Sequence, residues 1–524
     1  METFLTRYLH GNTSMVHVRG SLFGPDQSMS TLLSFLNQYF PPMTTTSSTT
    51  WLEKALSSIT LTLPFPGTNQ TDIIRSLKLE HIKIDYSMIS QTPLVSGEAI
   101  SLLQLPTEMQ QISFDVLEID PDVYLYLDKD SLRPFAQLHP TQPCPSTTIQ
   151  PGNDDTIPLG MFKVISIVKK APFKVIPGQE KEYQKFLDKI FEGQESTFYF
   201  KGKANAFIKN DFGKLHVRDL DFKGELNTKG MQGMKYPPPK VTSMDIVKGY
   251  QDALQVKTTF ILNNPSNIDM NLGDITFSML YKGVKIGNVT IDNLNLKSES
   301  NNSFDSNGYI FSPSSITSSS TILEFIGDYI SGDTIKLEIS GQNATRSKYL
   351  APLLNQLHFN IQVPIFDDLP LLQHVQMNLL SSTAVIWLRN PFEYINMSII
   401  KINATAIYEM DSILGTMYAD FKDGGKGWKG PLELPPIQCN GDDDDQFRKR
   451  KDSSTLCNGV TIETPRIPVM LKNKIITWEP ISKALGGKIK VAIDSIVTVK
   501  IDAFLLDGLD YKRNNITAII KKSF

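Results

Sequence analysis

Apolar and polar residues alternate along most of the chain, the pattern of strands that bury one face. Residues 77–86, 123–127 and 215–222 are predicted strands of this kind. Helical spacing is rarer and occurs at 180–191, 319–330 and 347–357. In the last of these, Pro352 fits only a first turn, so the helix is expected to begin near it. The pattern predicts a mainly β protein with a few packed helices.

An internal repeat emerges from the same pattern. Its landmarks are an Asn-Pro pair, a tyrosine and a glycine: Asn264, Pro265, Tyr281 and Gly287 in the first copy, and Asn390, Pro391, Tyr408 and Gly415 in the second. The Asn-to-Tyr separation is 17 residues and then 18, and the Tyr-to-Gly separation is 6 and then 7. The near-equal spacing predicts that the two segments fold alike.

The physical chemistry of these landmarks favours strands and tight turns. Proline cannot donate to a strand ladder, so each Asn-Pro pair is expected to end a strand. Lys282 and Gly283 are expected to form a hairpin turn after Tyr281. Units of about 125 residues with short strands suit two-sheet sandwiches. The predicted fold class is therefore tandem antiparallel β-sandwiches.

At these residues the sequence resembles the late-embryogenesis-abundant type-2 (LEA type-2) family. The resemblance rests on residues 260–265 and 281–287, on Val289, Ile291 and Leu294, and on a more divergent second copy around Asn390 and Tyr408. It covers roughly residues 250–524 and implies fibronectin-III-like sandwiches. Tandem copies are similar to fungal vacuolar-membrane proteins whose repeats face the lumen behind one membrane helix. Some relatives have been proposed to carry lipid in an apolar groove.

Three regions follow from the repeat. Residues 1–240 form a divergent β-rich region, in which 82–102 could be a decayed copy of the repeat. Residues 241–370 form the first sandwich. Residues 371–524 form the second, with a charged insertion at 440–456. The tri-proline Pro237, Pro238 and Pro239 marks the expected boundary between the first two regions.

The composition argues against a disordered chain and against a nucleic-acid-binding protein. The chain has 524 residues, of which 40% are apolar, and a formal net charge of −3. Several buried cores are therefore expected, and a nucleic-acid binder lacks the basic excess it needs. The sequence has no run of 18 apolar residues, and its first 30 residues do not read as a signal peptide. Either the protein is cytosolic, or targeting and membrane attachment depend on a segment outside this chain.

Asn-X-Ser/Thr sequons bear on the compartment. They occur at Asn12, Asn69, Asn288, Asn301, Asn343, Asn396, Asn403 and Asn515. Composition alone predicts about five, against the eight present. The excess is either coincidence or the mark of a glycosylated luminal or extracellular protein.

The cysteines give a second indication of compartment. Cys439 and Cys457 flank the charged insertion, and a disulfide between them would restrain it. Asp442 to Asp445 is expected to be a solvated run rather than a calcium loop, because it lacks the Gly-centred ligand spacing. Lys449-Arg450 resembles a dibasic processing site. Cys144 is expected to be a buried free thiol.

No catalytic or metal motif accompanies these features. The seven histidines have no metal-ligand spacing, and no nucleophile elbow or phosphate-binding loop is present. A non-enzymatic protein without a cofactor is predicted.

Apolar side chains remain as candidates for function. The first sandwich could place a lipid in a groove walled by Phe260, Leu262, Phe277, Tyr281, Ile322, Phe325, Ile326, Leu350, Leu353 and Leu354. The helical members of this set could equally be ordinary core. The preferred interpretation is a luminal module that binds or transfers lipid. The alternative is a ligand-free ectodomain that binds luminal parts of another membrane protein.

Overall fold

The computed structural model describes residues 2–19, 58–68, 73–87, 92–105, 114–150, 154, 157–158, 160–210, 213–313, 319–363, 370–378, 381–408, 412–422, 430–439, 457–458, 460–471 and 487–521. The chain forms two compact units. Unit 1 contains residues 1–82, 95–179 and 197–226, and unit 2 contains 83–94, 180–196 and 227–524. The strand-rich content confirms the predicted mainly β fold class.

Unit 1 is built on one large sheet. Its elements are α1 (Glu2–Leu9), β1 (Ser14–Arg19), β2 (Thr60–Phe65), β3 (Ile74–Asp85), β4 (Leu94–Gln104), β5 (Phe114–Tyr126), β6 (Ala136–Leu138), β7 (Cys144–Ile149), β8 (Met161–Val175), β9 (Glu195–Asn210) and β10 (Gly213–Lys229). The sheet runs β10-β9-β5-β6-β8-β4-β3, and β7 pairs with β5 and β8. Strands β1 and β2 pair in a separate two-stranded sheet. Phe114, Phe162 and Val164 form part of a core cluster on this sheet.

The first half of unit 2 contains a seven-stranded sheet and three helices. Its elements are α2 (Glu180–Glu192), a 3-10 turn (Gln232–Met234), β11 (Lys240–Gly249), β12 (Ala253–Asn264), β13 (Ile268–Asn271), β14 (Ile275–Tyr281), β15 (Val284–Ile291), β16 (Asn295–Leu296), β17 (Ser300–Phe311), α3 (Ser319–Ser331), β18 (Ile335–Ser340), α4 (Ala351–Leu354) and β19 (His358–Val363). The sheet order is β11-β12-β17-β15-β14-β18-β19. The helices predicted at 180–191 and 319–330 are present as α2 and α3. The third, predicted within 347–357, is only the four-residue α4, which begins beside Pro352 as expected.

The second half of unit 2 contains a closed sheet. The strands of this half are β20 (Leu372–Asn378), β21 (Thr383–Arg389), β22 (Met397–Tyr408), β23 (Ser412–Asp420), β24 (Leu432–Leu434), β25 (Gln438–Cys439), β26 (Cys457–Asn458), β27 (Thr461–Glu463), β28 (Ile467–Leu471), β29 (Lys488–Ile501) and β30 (Phe504–Lys521). Of these, β25 and β26 form a separate two-stranded sheet. The order β20-β30-β29-β22-β23-β28-β21 closes because β21 also pairs with β20. We call these seven strands the barrel. All its pairings are antiparallel except β20 with β30.

Alternation along β29 shows why this sheet closes. Ile493, Val497 and Val499 are buried, whereas Lys488, Lys490 and Lys500 are exposed. Side chains of a strand point alternately to opposite faces, so one face of β29 is apolar and must be covered. Closure covers the apolar face of every strand with the faces of the others and removes the sheet edges.

The repeated asparagines have the same role in both halves of unit 2. Asn264 and Asn390 are fully buried at the ends of β12 and β21. In each case Oδ1 accepts the N–H of the residue two positions later, Ser266 or Phe392. Each Nδ2 donates to two carbonyl oxygens, one nearby in sequence and one on β16 or β24. An asparagine side chain satisfies both sides of such a turn because it has donors and an acceptor.

The hairpins that follow share their register. Gly287 lies opposite Met279, two residues before Tyr281, and Gly415 lies opposite Ala406, two residues before Tyr408. A bulge follows in both hairpins, after Met279 and after Ala406. At Gly287 a Cβ would lie 2.1 Å from the Tyr309 carbonyl oxygen, so only glycine fits. The sequence spacing therefore reflects equivalent backbone geometry.

Candidate functional site

The barrel contains an apolar cavity. Its lining comes from six of the seven strands and the residue before β20: Leu371, Leu372, Val375, Ile386, Leu388, Ile399, Ile402, Ala404, Met417, Ile493, Ser495, Val497 and Tyr511. The empty space is about 400 Å³ when its opening is included, whereas the centre of a water-sized sphere can move through about 30 Å³. The cavity is therefore narrow, and its walls are almost wholly apolar.

Two small side chains create this space. Ala404 on β22 lies directly opposite Ser495 on β29. The same row continues to Met417 on one side and to Tyr511 on the other. Two short side chains side by side leave a hollow that larger neighbours on the same wall do not fill.

The two polar side chains of the lining each form a hydrogen bond within the wall. The Ser495 hydroxyl donates to the Tyr511 carbonyl oxygen at 3.0 Å. The phenolic oxygen of Tyr511 accepts the Leu372 N–H at 3.2 Å. Burial raises the pKa of Tyr511 to about 12, so the phenol is neutral at physiological pH. An occupant would therefore meet an uncharged surface, which suits hydrocarbon rather than a polar substrate.

The barrel wall has few strand pairs at β28. This strand pairs with β21 at two positions and with β23 at three, whereas β22 and β29 pair at ten. Pro468 lies in one of the two β21 pairs and has no N–H to donate. Opening the barrel at β28 would break fewer hydrogen bonds than opening it between β22 and β29.

The groove residues predicted from sequence are buried in the first half of unit 2, and none lines the barrel cavity. Tyr281 contacts Phe325 edge to face at 5.5 Å and donates to Asp328 at 2.5 Å. Burial, which is the larger effect, and this hydrogen bond together raise the pKa of Tyr281 to about 12. Helix α3, which carries Ile322, Phe325 and Ile326, packs against β30, and a Cβ at Gly327 would lie 2.2 Å from the Asp510 carbonyl oxygen. In the described structure these side chains are packed core.

Sequence reasoning missed the barrel cavity. The sequence signal was only that β22 contains small residues, of which Ala404 lines the cavity, and its partner Ser495 is 91 residues away. The Asn390 landmark identified β22 but gave no information about the strand beside it.

The predicted modification sites lie mainly at the surface. Six sequon asparagines are exposed, namely Asn12, Asn301, Asn343, Asn396, Asn403 and Asn515. Asn288 is half-buried, and Asn69 lies outside the described residues. The register of β25 and β26 places Cys439 directly opposite Cys457. Opposed positions in antiparallel strands have the Cα separation that a disulfide requires.

The remaining chemistry is sparse. The described residues contain no group of three or more His, Cys, Asp or Glu side chains that could hold a metal ion. Cys144 is a buried free thiol, as expected. Its burial, together with the smaller effect of the Asp120 charge, raises the pKa of the thiol to about 11. The described part of the chain contains no helix long and apolar enough to cross a membrane. The Asp442–Asp445 run and the Lys449-Arg450 pair lie outside the described residues.

Comparisons with known proteins give one family match. Residues 164–279, about a fifth of the chain, match a family described as a protein of unknown function (DUF3712). No curated protein matches the sequence.

Similar solved structures are distant. They include latent PorU of Porphyromonas gingivalis (11% identity, 94% of this chain and 37% of that chain, TM-score 0.12) and the N-terminal domain of the Streptococcus gordonii adhesin Sgo0707 (11%, 86% and 91%, TM-score 0.14). A 35 kDa fragment of the Streptococcus agalactiae major pilin GBS80 is 8% identical over 55% of this chain and 90% of that chain, with a TM-score of 0.11. The chain spans about a third of the PorU length. These likenesses carry no functional argument.

Proposed function

We propose that this protein is a non-enzymatic binding module that holds the apolar part of a lipid inside its barrel. The observation that carries the proposal is the barrel cavity, whose lining is apolar except for Ser495 and Tyr511. Both of these polar side chains already have partners in the wall. A hydrocarbon chain would therefore displace no hydrogen bond on entering. The proposal keeps the lipid-binding interpretation of the sequence and assigns it to the second repeat.

The size of the cavity sets a condition on this function. Each buried methylene contributes about 0.8 kcal/mol, so a chain end of about four methylenes contributes about 3 kcal/mol. A millimolar complex needs about 4 kcal/mol. Useful affinity therefore requires a longer stretch of chain and a wider barrel. Separation of β28 from β21 is the opening that breaks the fewest strand pairs.

We assign the module to the lumen of the secretory pathway, at the vacuolar membrane of a fungus. Three observations support the location: the LEA type-2 resemblance, the exposure of six sequons and the opposed Cys439 and Cys457. Disulfides and N-glycans both belong to this compartment. Membrane attachment would be supplied by a segment outside this chain.

The alternative is a ligand-free ectodomain that binds luminal parts of another membrane protein. The small free space favours it, because only about 30 Å³ admits the centre of a water-sized sphere. A protein of this kind needs filled cores and an exposed binding surface. The two functions differ in whether the cavity is ever occupied.

Native mass spectrometry separates them. The full chain, secreted from a eukaryotic host, would be measured before and after organic extraction. Titration with a fluorescent eighteen-carbon fatty acid would follow. Ala404→Leu fills the hollow inside the barrel. The control, Thr416→Leu, introduces a leucine on the outer face of the neighbouring strand β23. We expect extractable lipid-range masses and fatty-acid binding in the wild type and Thr416→Leu, and neither in Ala404→Leu. A wild-type protein that carries no extractable lipid and does not bind the fatty acid would favour the ligand-free ectodomain.

A further inference from the structure

The outer face of the barrel carries an exposed apolar pair with a sequon between its members. Tyr418 on β23 and Ile496 on β29 are 59% and 55% exposed. Both lie directly opposite Asn403 on the strand between them. We call Tyr418, Asn403 and Ile496 the outer row. Exposed large apolar side chains that lie close together on one face of a sheet mark a candidate covered or interacting surface, whereas isolated ones are ordinary.

The sequon is presented on this same face. Asn403 and Thr405 are two residues apart on β22, so both side chains point away from the cavity. Asn403 is exposed. Directly opposed side chains have Cβ atoms about 4.5–5.5 Å apart, so a group attached to Asn403 begins between the phenol ring and the isoleucine.

We propose that an N-linked glycan on Asn403 covers the outer row. This inference rests on the luminal location proposed above. The donor is an oligosaccharide attached to a lipid pyrophosphate. The Asn403 amide nitrogen attacks the anomeric carbon, the bond from that carbon to the pyrophosphate oxygen breaks, and the amide loses one proton to a base of the transferase. The lipid pyrophosphate leaves with the bonding electrons.

A glycan on Asn403 would differ in role from one on Asn301. The first sugar rings present C–H faces that can pack on the Tyr418 ring, as aromatic side chains pack on apolar surfaces. Asn301 offers the contrast. It is exposed on β17, but its cross-strand partner is Asn263, and its neighbours in sequence are Ser300 and Asn302. A glycan on Asn301 would therefore lie on polar surface.

The test compares occupancy and the effect of loss. Glycopeptide mass spectrometry of the full secreted chain would show whether Asn403 and Asn301 carry glycans. Asn403→Gln and Asn301→Gln would then be compared by binding of a hydrophobic dye and by light scattering on warming. We expect both sites occupied, with at least twofold more dye bound by Asn403→Gln alone. Adding Tyr418→Ser and Ile496→Thr to Asn403→Gln should return dye binding to the wild-type level.

The outcomes distinguish this inference from the proposals of a luminal location and of lipid binding. An unmodified Asn403 beside a glycosylated Asn301 would overturn it alone, as would equal dye binding by the two glutamine variants. Protein from its own cells with no glycan at any sequon would overturn the luminal location and this inference together. Neither result depends on lipid binding, which is measured with the Ala404→Leu variant.

Discussion

Replacing the two buried asparagines tests the equivalence of the repeats most directly. Asn390→Ala removes the partner of three backbone groups: the carbonyl oxygens of Ile395 and Leu434, at 2.7 and 3.0 Å, and the Phe392 N–H, at 2.9 Å. Asn390 is fully buried, so water cannot replace the lost bonds without rearrangement. Each buried group left without a partner costs about 1–3 kcal/mol. We expect Asn390→Ala to lower the free energy of unfolding by roughly 3–6 kcal/mol.

Asn264→Ala should lower the free energy of unfolding by less than Asn390→Ala, because the neighbouring Ser266 already donates to one of the backbone groups that lose Asn264. The Ile268 carbonyl oxygen also accepts the Ser266 hydroxyl at 3.1 Å, so it keeps a partner in the variant. The Ser266 N–H, at 3.0 Å, and the Leu296 carbonyl oxygen, at the longer distance of 3.4 Å, lose theirs. The Ser266 hydroxyl loses Asn264 Oδ1, at 2.7 Å, but keeps the Ile268 carbonyl oxygen as an acceptor. The expected cost is roughly 2–4 kcal/mol.

Urea unfolding of unglycosylated protein, followed by fluorescence and circular dichroism, measures both changes at constant m-value. The matched control is Asn301→Ala on the exposed face of β17, which should change the free energy of unfolding by less than about 0.5 kcal/mol. The reasoning is wrong if Asn390→Ala resembles this control. It is also wrong if Asn264→Ala proves more costly than Asn390→Ala.

Three further predictions concern titratable and sulfur groups. Burial raises the pKa of Cys144 to about 11, so iodoacetamide at pH 8 should modify it in a peptide map only after unfolding. The Tyr511 pKa of about 12 exceeds the value of about 10 in an unfolded chain, so the unfolded state loses the proton first. The stabilisation by Tyr511 is therefore complete below about pH 10 and lost toward pH 12, and urea unfolding should show the advantage of wild type over Tyr511→Phe shrinking by about 2–3 kcal/mol across that window. Because Cys439 and Cys457 lie directly opposite one another, they should be recovered as one linked peptide from secreted protein in a non-reducing map. Two free thiols would contradict the disulfide and weaken the proposed luminal location.

Elements with a strong local period could be predicted from sequence. Helix α2 occupies Glu180–Glu192, and the five apolar residues that recur at helical spacing in 180–191 are the five that are buried: Tyr183, Phe186, Leu187, Ile190 and Phe191. The Lys282-Gly283 turn is also where the pattern placed it, because Tyr281 pairs with Val284 across a two-residue loop. Both features depend on residues within a few positions of one another. Local chemistry is enough to specify them.

Closure of the barrel could not be predicted in this way. It depends on β20 pairing in parallel with β30, which joins His374 to Thr517 across more than 140 residues. Alternation predicts that each strand has an apolar face but not which strand covers it. The same limit applies to the cavity, because Ala404 and Ser495 become neighbours only when β22 and β29 pair. The pattern therefore did not distinguish a closed sheet from two sheets packed face to face.

The two halves of unit 2 cover equivalent hairpins in different ways, and this difference locates the candidate site. In the first half, helix α3 lies against β14, β15 and β18, and its Phe325 packs on Tyr281. A helix can fill the space beside a sheet with side chains chosen for fit, which leaves a close-packed core. In the second half, the described strands cover one another by closure. The interior of a closed sheet is filled only by side chains of its own strands. Two small residues in one row therefore leave a space that no other element fills. Helix α3 also packs against β30, but no residue of a described helix lines the cavity, so an apolar ligand is expected to enter the barrel.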